Sequence, residues 1–237
     1  MVLDTCRSTQ DEAIRIGRDM GRPTWVLAHD QTAARGRYGQ AWEMPEGNFA
    51  ASLIMRPTGT AGWAALRSFL AACALFETLA LYVERGRLSL KWPNDVLLDG
   101  GKVAGILLES ASNGDQITWL SIGIGVNLRN VPEGVRDAAF PPVALAELAD
   151  RDPHGPEEFL TRLAGYYATE EAILERLGFE PIREKWLRHA ARLGETITAR
   201  LGQEEVTGVF STVDEAGHLV LDTPTGERRI QAADVYF

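Results

Sequence analysis

Apolar residues recur along this chain with two different periods, and the changes of period divide it into elements. Residues 25–30 and 49–56 are near-continuous apolar runs, the pattern of strands buried on both faces. Between them, residues 31–48 form a polar connection carrying glycine and arginine. A connection that long inside a compact domain usually carries function. Across residues 63–85, Ala64, Leu66, Phe69, Leu70, Cys73, Leu75, Phe76, Leu79, Tyr82 and Val83 fall at helical spacing and predict one long core helix. Residues 96–98 and 103–111 read as strands joined through Asp99-Gly100-Gly101. The next strand, 117–128, follows Ser112-Asn113-Gly114-Asp115. Both connections are hairpin chemistry, because glycine and asparagine tolerate positive φ. Successive hairpins predict a largely antiparallel sheet.

Residues 141–148, 156–177 and 181–192 read as helices, each opening with proline near its first turn. After Gly194 the period becomes two. Residues 196–201, 206–213, 218–221 and 228–230 are short strands separated by Gly202, Glu215-Ala216-Gly217 and Thr225-Gly226. The expected architecture is therefore α/β (α+β): a domain of residues 1–191 with a mixed, mostly antiparallel sheet and helices, then a small SH3-like barrel over residues 192–237.

Composition narrows the class. With 237 residues, 45% of them hydrophobic and 24% charged, the chain is an ordinary globular sequence able to bury a sizeable core. No apolar run approaches the roughly 18 residues of a membrane span, so no membrane partner is expected. Met1-Val2-Leu3-Asp4-Thr5 lacks the basic and apolar regions of a secretory signal. Cys6 and Cys73 show no zinc-ligand spacing, which argues for a reducing, cytoplasmic setting. The four histidines, His29, His154, His189 and His218, are scattered, so no metal ligands are predicted from protein side chains. A net charge of −9 disfavours a basic face for nucleic-acid phosphates.

The candidate chemistry gathers at Lys91-Trp92-Pro93-Asn94-Asp95 and at Lys102-Val103-Ala104-Gly105-Ile106-Leu107-Leu108-Glu109. These segments place charge around a hairpin that a central sheet would otherwise make apolar. Taken alone, a strand lysine is most often a solvated edge residue. Further segments accompany this pair in order: Ser8-Thr9-Gln10, residues 31–42 (QTAARGRYGQAW), Pro45-Glu46-Gly47-Asn48-Phe49 and Gly123-Ile124-Gly125-Val126-Asn127-Leu128. Together they closely resemble the signatures of biotin protein ligases: a Ser-Thr-Asn/Gln start, the QTAGRGRxGRxW loop, P-x-G-N, KWPND with GKxAGIL, and GIGxN. The resemblance covers roughly the first 130 residues; beyond about residue 190 only the strand-rich pattern is similar.

That resemblance implies an enzyme that joins biotin to ATP as biotinoyl-5'-AMP, with Mg2+, and passes the biotin to a lysine of a biotin carboxyl carrier protein domain. In such a reaction two anions meet, and their repulsion must be neutralised by preorganised cations and donors. By resemblance, Lys102 bridges the biotin carboxylate and the α-phosphate, with Arg37 and Asp95 beside it as catalytic residues. Biotin would be held by Ser8, Thr9, Gln31, Ala34, Arg35, Arg37, Lys102 and Gly105. The nucleotide would be held by Arg35, Arg37, Trp42, Asn94, Lys102 and Asn127. Asp95 has two readings: it activates the acceptor lysine or positions a metal-bound phosphate, or it holds Lys91 or Lys102 in an ion pair. Asn127 either touches ribose or adenine, or caps a turn.

Two positions depart from the pattern. Ala34 replaces a glycine and Gln40 a third arginine; a methyl group facing biotin would loosen binding, and a lost cation would weaken nucleotide capture. A lipoate or octanoate protein ligase shares the fold but lacks the combined KWPND and GKxAGIL signature, and a non-catalytic biotin sensor is the rival from another class. Because Ser8-Thr9 comes almost at the first residue, no DNA-binding domain and no DNA partner are expected. The sequence leaves a homodimer open.

Overall fold

The computed structural model describes residues 1–17, 21–134, 140–202, 204–231 and 233–237. Its elements are β1 (Val2–Cys6), α1 (Thr9–Gly17), β2 (Thr24–Gln31), β3 (Phe49–Met55), α2 (Ala61–Ala65), α3 (Arg67–Leu79), β4 (Leu88–Lys91), β5 (Asp95–Leu98), β6 (Gly101–Asn113), β7 (Gln116–Val126), α4 (Leu145–Leu148), α5 (Pro156–Leu177) and α6 (Glu180–Leu187), followed by β8 (Thr196–Leu201), β9 (Glu204–Val213), β10 (Leu219–Thr223), β11 (Gly226–Ile230) and β12 (Asp234–Tyr236).

The first seven strands form one sheet in the order β1-β2-β3-β7-β6-β5-β4, with β1 parallel to β2 and every other pair antiparallel. Both predicted hairpins are present. The first turns through Asp99 and Gly100, at φ of 50° and 81°, the left-handed pair that a two-residue hairpin needs. The last five strands form a separate antiparallel sheet, β11-β10-β9-β8-β12.

Strand alternation gives the large sheet two unlike faces. On one, Phe49, Leu53, Ile122, Ile124 and Val126 pack against α3 and α5 in the main core. The register puts Ala50 opposite Gly125 and Ser52 opposite Gly123 on the other face. There α1 covers the far end, through Ala13 against Val26 and Ile54 and through Thr9 over Ser52, and the face beyond it stays open.

The long helix expected over residues 63–85 is two helices with a break at Leu66, and the second ends at Leu79. At the break, the Arg67 guanidinium donates to the Trp63 carbonyl at 3.5 Å, the group an unbroken helix would give to the Arg67 amide. Four further elements escaped the sequence reading: β1, α1, β4 and the three-residue β12. The predicted helix at residues 141–148 is one turn, α4; residues 141–143 run instead beside Lys102, whose amide donates to the Pro141 carbonyl at 2.9 Å.

Candidate active site

The open face carries a cavity of about 360 Å³. Its floor is made of small residues, Ala50, Gly105, Gly123 and Gly125, with Gly105 directly opposite Gly125 in the ladder. A Cβ on Gly125 would lie 2.6 Å from Trp42 Cε2, and one on Gly105 would lie 3.1 Å from Trp42 Cζ3. The indole therefore rests directly on two strand backbones, a closeness that only glycine allows. Trp42 is delivered by the loop after β2, which folds back on itself: Gly36 N donates to Gln40 O at 2.7 Å and Trp42 N to Ala34 O at 3.0 Å.

One end of the cavity is neutral and polar. Ser8, Thr9 and Gln10 stand at the start of α1, each nearly fully buried. The Thr9 amide donates to Gln31 Oε1 at 2.7 Å. Gln10 spans the gap to the sheet, donating to Leu107 O at 3.1 Å and accepting from the Ser121 hydroxyl. At Gly123 a Cβ would come within 2.9 Å of Gln10 Cδ, so this glycine makes room for the amide.

The other end is ionic. Asp95, 9% exposed, lies between two ammonium groups, with Oδ1 at 2.7 Å from Lys102 Nζ and Oδ2 at 3.4 Å from Lys91 Nζ. Burial alone would raise the Asp95 carboxyl, but Lys102 and Lys91 together hold it below the usual carboxylate range. Lys91 is itself 7% exposed, and burial pulls its ammonium below the ordinary lysine value even though Asp95 supports the charge. The ring of Phe140 stands over Lys91 Nζ at 4.6 Å and that of Trp42 over Lys102 Nζ at 5.6 Å. Asn94 is fixed by exchange with β6, where Ile106 N donates to Asn94 O at 2.9 Å. Asn127 donates to Lys102 O at 3.4 Å and, at 2% exposure, leaves its Oδ1 without a hydrogen-bond partner among the described residues.

The two loop arginines are engaged differently. Arg35 is clamped to Asp11 at 2.7 Å and to Glu109 at 2.9 Å. Burial works against its charge, but bonds to Glu109 and Asp11 carry the guanidinium above its ordinary value. Arg37 reaches across to the small sheet, donating to Ala233 O at 3.2 Å and to Asp234 Oδ1 at 3.4 Å, with Asn94 Oδ1 at 3.5 Å.

Ser8, Thr9, Gln31, Arg35, Arg37, Trp42, Asn94, Asp95, Lys102, Gly105 and Asn127 thus all line one cavity, as does Gln40. Ala34 does not. It lines an adjoining groove on the other side of Trp42, with Thr32, Met44 and Glu133. Of the two readings of Asp95, its geometry here is that of the ion pair. Sequence reasoning missed Gln10 as a wall, although it stands inside the Ser-Thr-Gln motif, and missed the contribution of Asp234, Val235 and Tyr236. Nothing in a three-residue strand 197 positions from Arg37 announces that contact.

Comparison with known proteins places the chain in a family. The family model described as "Biotin/lipoate A/B protein ligase family" matches residues 6–127, and that of "Biotin protein ligase C terminal domain" matches residues 193–237. The chain is 48% identical over 233 residues to biotin--[acetyl-CoA-carboxylase] ligase of Paracoccus denitrificans, covering 97% of each. It is 29% identical over 250 residues to the bifunctional ligase/repressor BirA of Bacillus subtilis, covering 98% of this chain and 72% of that protein. Among solved structures, the biotin protein ligase of Aquifex aeolicus in complex with biotin and ATP superposes with a TM-score of 0.79 at 26% identity, covering 99% of this chain and 97% of that one. With the family model, the full-length relative and the shared fold in agreement, the chain belongs to the biotin/lipoate A/B protein ligase family.

Proposed function

We propose that this protein is an ATP-dependent biotin protein ligase, which forms biotinoyl-5'-AMP with release of pyrophosphate and then transfers biotin to a lysine of a biotin carboxyl carrier protein domain. The observation that carries the reading is the polarity of the cavity on the open face. A neutral hydrogen-bonding end suits a cyclic urea, and an ionic end suits the meeting of a carboxylate with a phosphate. Biotin would lie along the glycine floor, its ureido group near Ser8, Thr9 and Gln31 and its carboxylate toward Lys102. Lys102 would exchange Asp95 for the reacting anions and neutralise charge as it develops in the transition state. Asp95 would then remain paired with Lys91, so no buried carboxylate is left bare. Arg37, tied to the C-terminal sheet, would close over the nucleotide with Trp42, Asn94 and Asn127, while Arg35 orders the loop through Asp11 and Glu109. The proposed division at residues 191 and 192 makes the C-terminal sheet a wall of the site rather than a separate binding module.

Mg2+ fits this site only as a companion of ATP. Among the described residues no three carboxylate, histidine or cysteine groups converge on one point, and both Asp95 oxygens face ammonium groups. Unpaired Cys6 and Cys73 support a reducing, cytoplasmic setting, and a net charge of −9 supports no role for DNA. Incubation with ATP and a carrier domain tests the reading: pyrophosphate and carrier biotinylation are expected with biotin and not with lipoate. Turnover of lipoate instead would overturn it.

A further inference from the structure

Ser52 lies beneath Thr9 on the open face of the sheet, completely buried and outside the cavity lining. A hydroxyl has one proton to give and two lone pairs to receive with. Ser52 gives its proton to Thr9 Oγ1 at 2.9 Å. That bond fills a Thr9 lone pair, while the Thr9 proton has no acceptor among the described residues. The neighbouring Gln31 is polarised in the same sense. Its Oε1 is taken by the Thr9 amide at 2.7 Å, so Nε2 is the free end, with only the weak acceptor Met44 Sδ at 3.3 Å.

We infer that Ser52 is a positioning residue that fixes the hydroxyl of Thr9 as a donor toward the cavity, so that this end accepts a carbonyl oxygen and rejects a group that itself donates there. The inference rests on the proposed activation of biotin and names what sets its selectivity. Without the Ser52 proton, the Thr9 hydroxyl is free to rotate and to receive a hydrogen bond as readily as to give one. The ligand pair that reads this difference is biotin, which presents a urea oxygen, and 2-iminobiotin, which at neutral pH is a cation presenting N–H at the same place.

The experiment measures KM and kcat for biotin in pyrophosphate release, with 2-iminobiotin and desthiobiotin as competitors. For Ser52→Ala, KM for biotin should rise roughly threefold to tenfold, the worth of one oriented hydrogen bond, with kcat unchanged. Discrimination against 2-iminobiotin should shrink by a similar factor, whereas desthiobiotin, which keeps the urea, should weaken in step with biotin. In a Thr9→Val background Ser52→Ala should add nothing, because no hydroxyl remains to be oriented. A KM shift that persists in that background, or an unchanged ratio of biotin to 2-iminobiotin affinity, overturns the inference while leaving the ligase reading intact. An unmodified chain that releases no pyrophosphate with biotin fails the ligase reading itself. If Ser52→Ala does not fold, Ser52→Cys, of similar volume and a weak donor, is judged by the same two criteria.

Discussion

On β3 and β7 the residues that face α3 alternate with residues of the opposite face, and part of that second face is the cavity floor. Phe49, Leu53, Ile122, Ile124 and Val126 close one face of the sheet, and Ala50, Gly123 and Gly125 leave the other open. The same backbone hydrogen bonds therefore support a packed core and an unfilled site, and only side-chain size separates them. Stability should reside on the first face and ligand binding on the second. The separation fails at the ionic end, where Asp95 serves both.

The largest effect is expected on the open side. Lys102→Ala removes the cation proposed to bridge the reacting anions, and loss of one such preorganised group typically slows a reaction by roughly 100- to 1000-fold. Pyrophosphate release should fall by that order, a far larger effect than any shift of the denaturant midpoint, which Lys91 limits by keeping Asp95 paired. A variant with near-normal release would remove Lys102 from the chemistry.

Ile122→Ala is the mirror experiment on the closed face. Ile122 is fully buried opposite Leu53 and Leu108. Truncation to alanine at such a site costs about 2–5 kcal/mol, from lost transfer energy and the cavity left behind. Per folded molecule, kcat/KM for biotin should be unchanged. A loss of activity as large as the loss of stability would show that the two faces are not independent.

Asp95→Asn tests where the faces merge. Removing the carboxylate leaves two ammonium groups facing one another, and breaking a buried pair costs about 3–5 kcal/mol. Lys102 is 32% exposed and can turn toward water, which places the expected cost near the lower end. The sign with pH is fixed. Because folding holds the Asp95 carboxyl below its ordinary value, its contribution is complete above that value and is lost as pH falls through the folded one. Unfolding scans of the two forms should therefore converge in acid, and parallel curves would show that Asp95 is not paired in solution.

These contrasts also explain what was legible in the sequence. Hairpins announced themselves because Asp99-Gly100 and Gly114 supply the positive φ that tight turns need, whereas Gly123-Ile124-Gly125 stood inside a motif without being read as the floor of a cavity. Lys102, Asp95, Arg37, Ser8 and Thr9 lay inside local motifs, and all of them line the cavity. The missed parts lack a local signal. β1 pairs in parallel with β2, so no turn marks it, and its burial pattern is mostly exposed. The placing of Ala34 beyond Trp42 depends on how the loop folds back, which loop composition does not encode. The Ser52–Thr9 bond joins residues 43 positions apart, and a serine in an apolar strand gives no hint of what it orients.

Gly125→Ala should be smaller than these and confined to binding. Its Cβ would meet Trp42 ring atoms at 2.6–2.8 Å. Because the indole belongs to a loop, it can be pushed into the cavity without disturbing the sheet. One added carbon at such a contact is worth about 1–3 kcal/mol, so calorimetric biotin affinity should fall by about tenfold or more with little change in melting. A variant that instead loses stability would mean that Trp42 is part of the core.

The smallest effect is expected at Ala34, and its sign differs from the one the sequence suggests. A methyl facing biotin would make Ala34→Gly tighten binding. In the structure Ala34 lines the neighbouring groove, and its carbonyl receives the Trp42 amide at 3.0 Å. Nor does it require glycine's conformations, since the positive-φ residues of this loop are Tyr38, Gly39 and Gly47. Glycine at a site where alanine is unstrained mainly enlarges the unfolded ensemble, at a cost of about 0.4–1 kcal/mol. Ala34→Gly should therefore melt slightly lower and bind biotin no more tightly than the unmodified chain. Tighter calorimetric binding would show that the loop moves on ligation and carries Ala34 around to the open face.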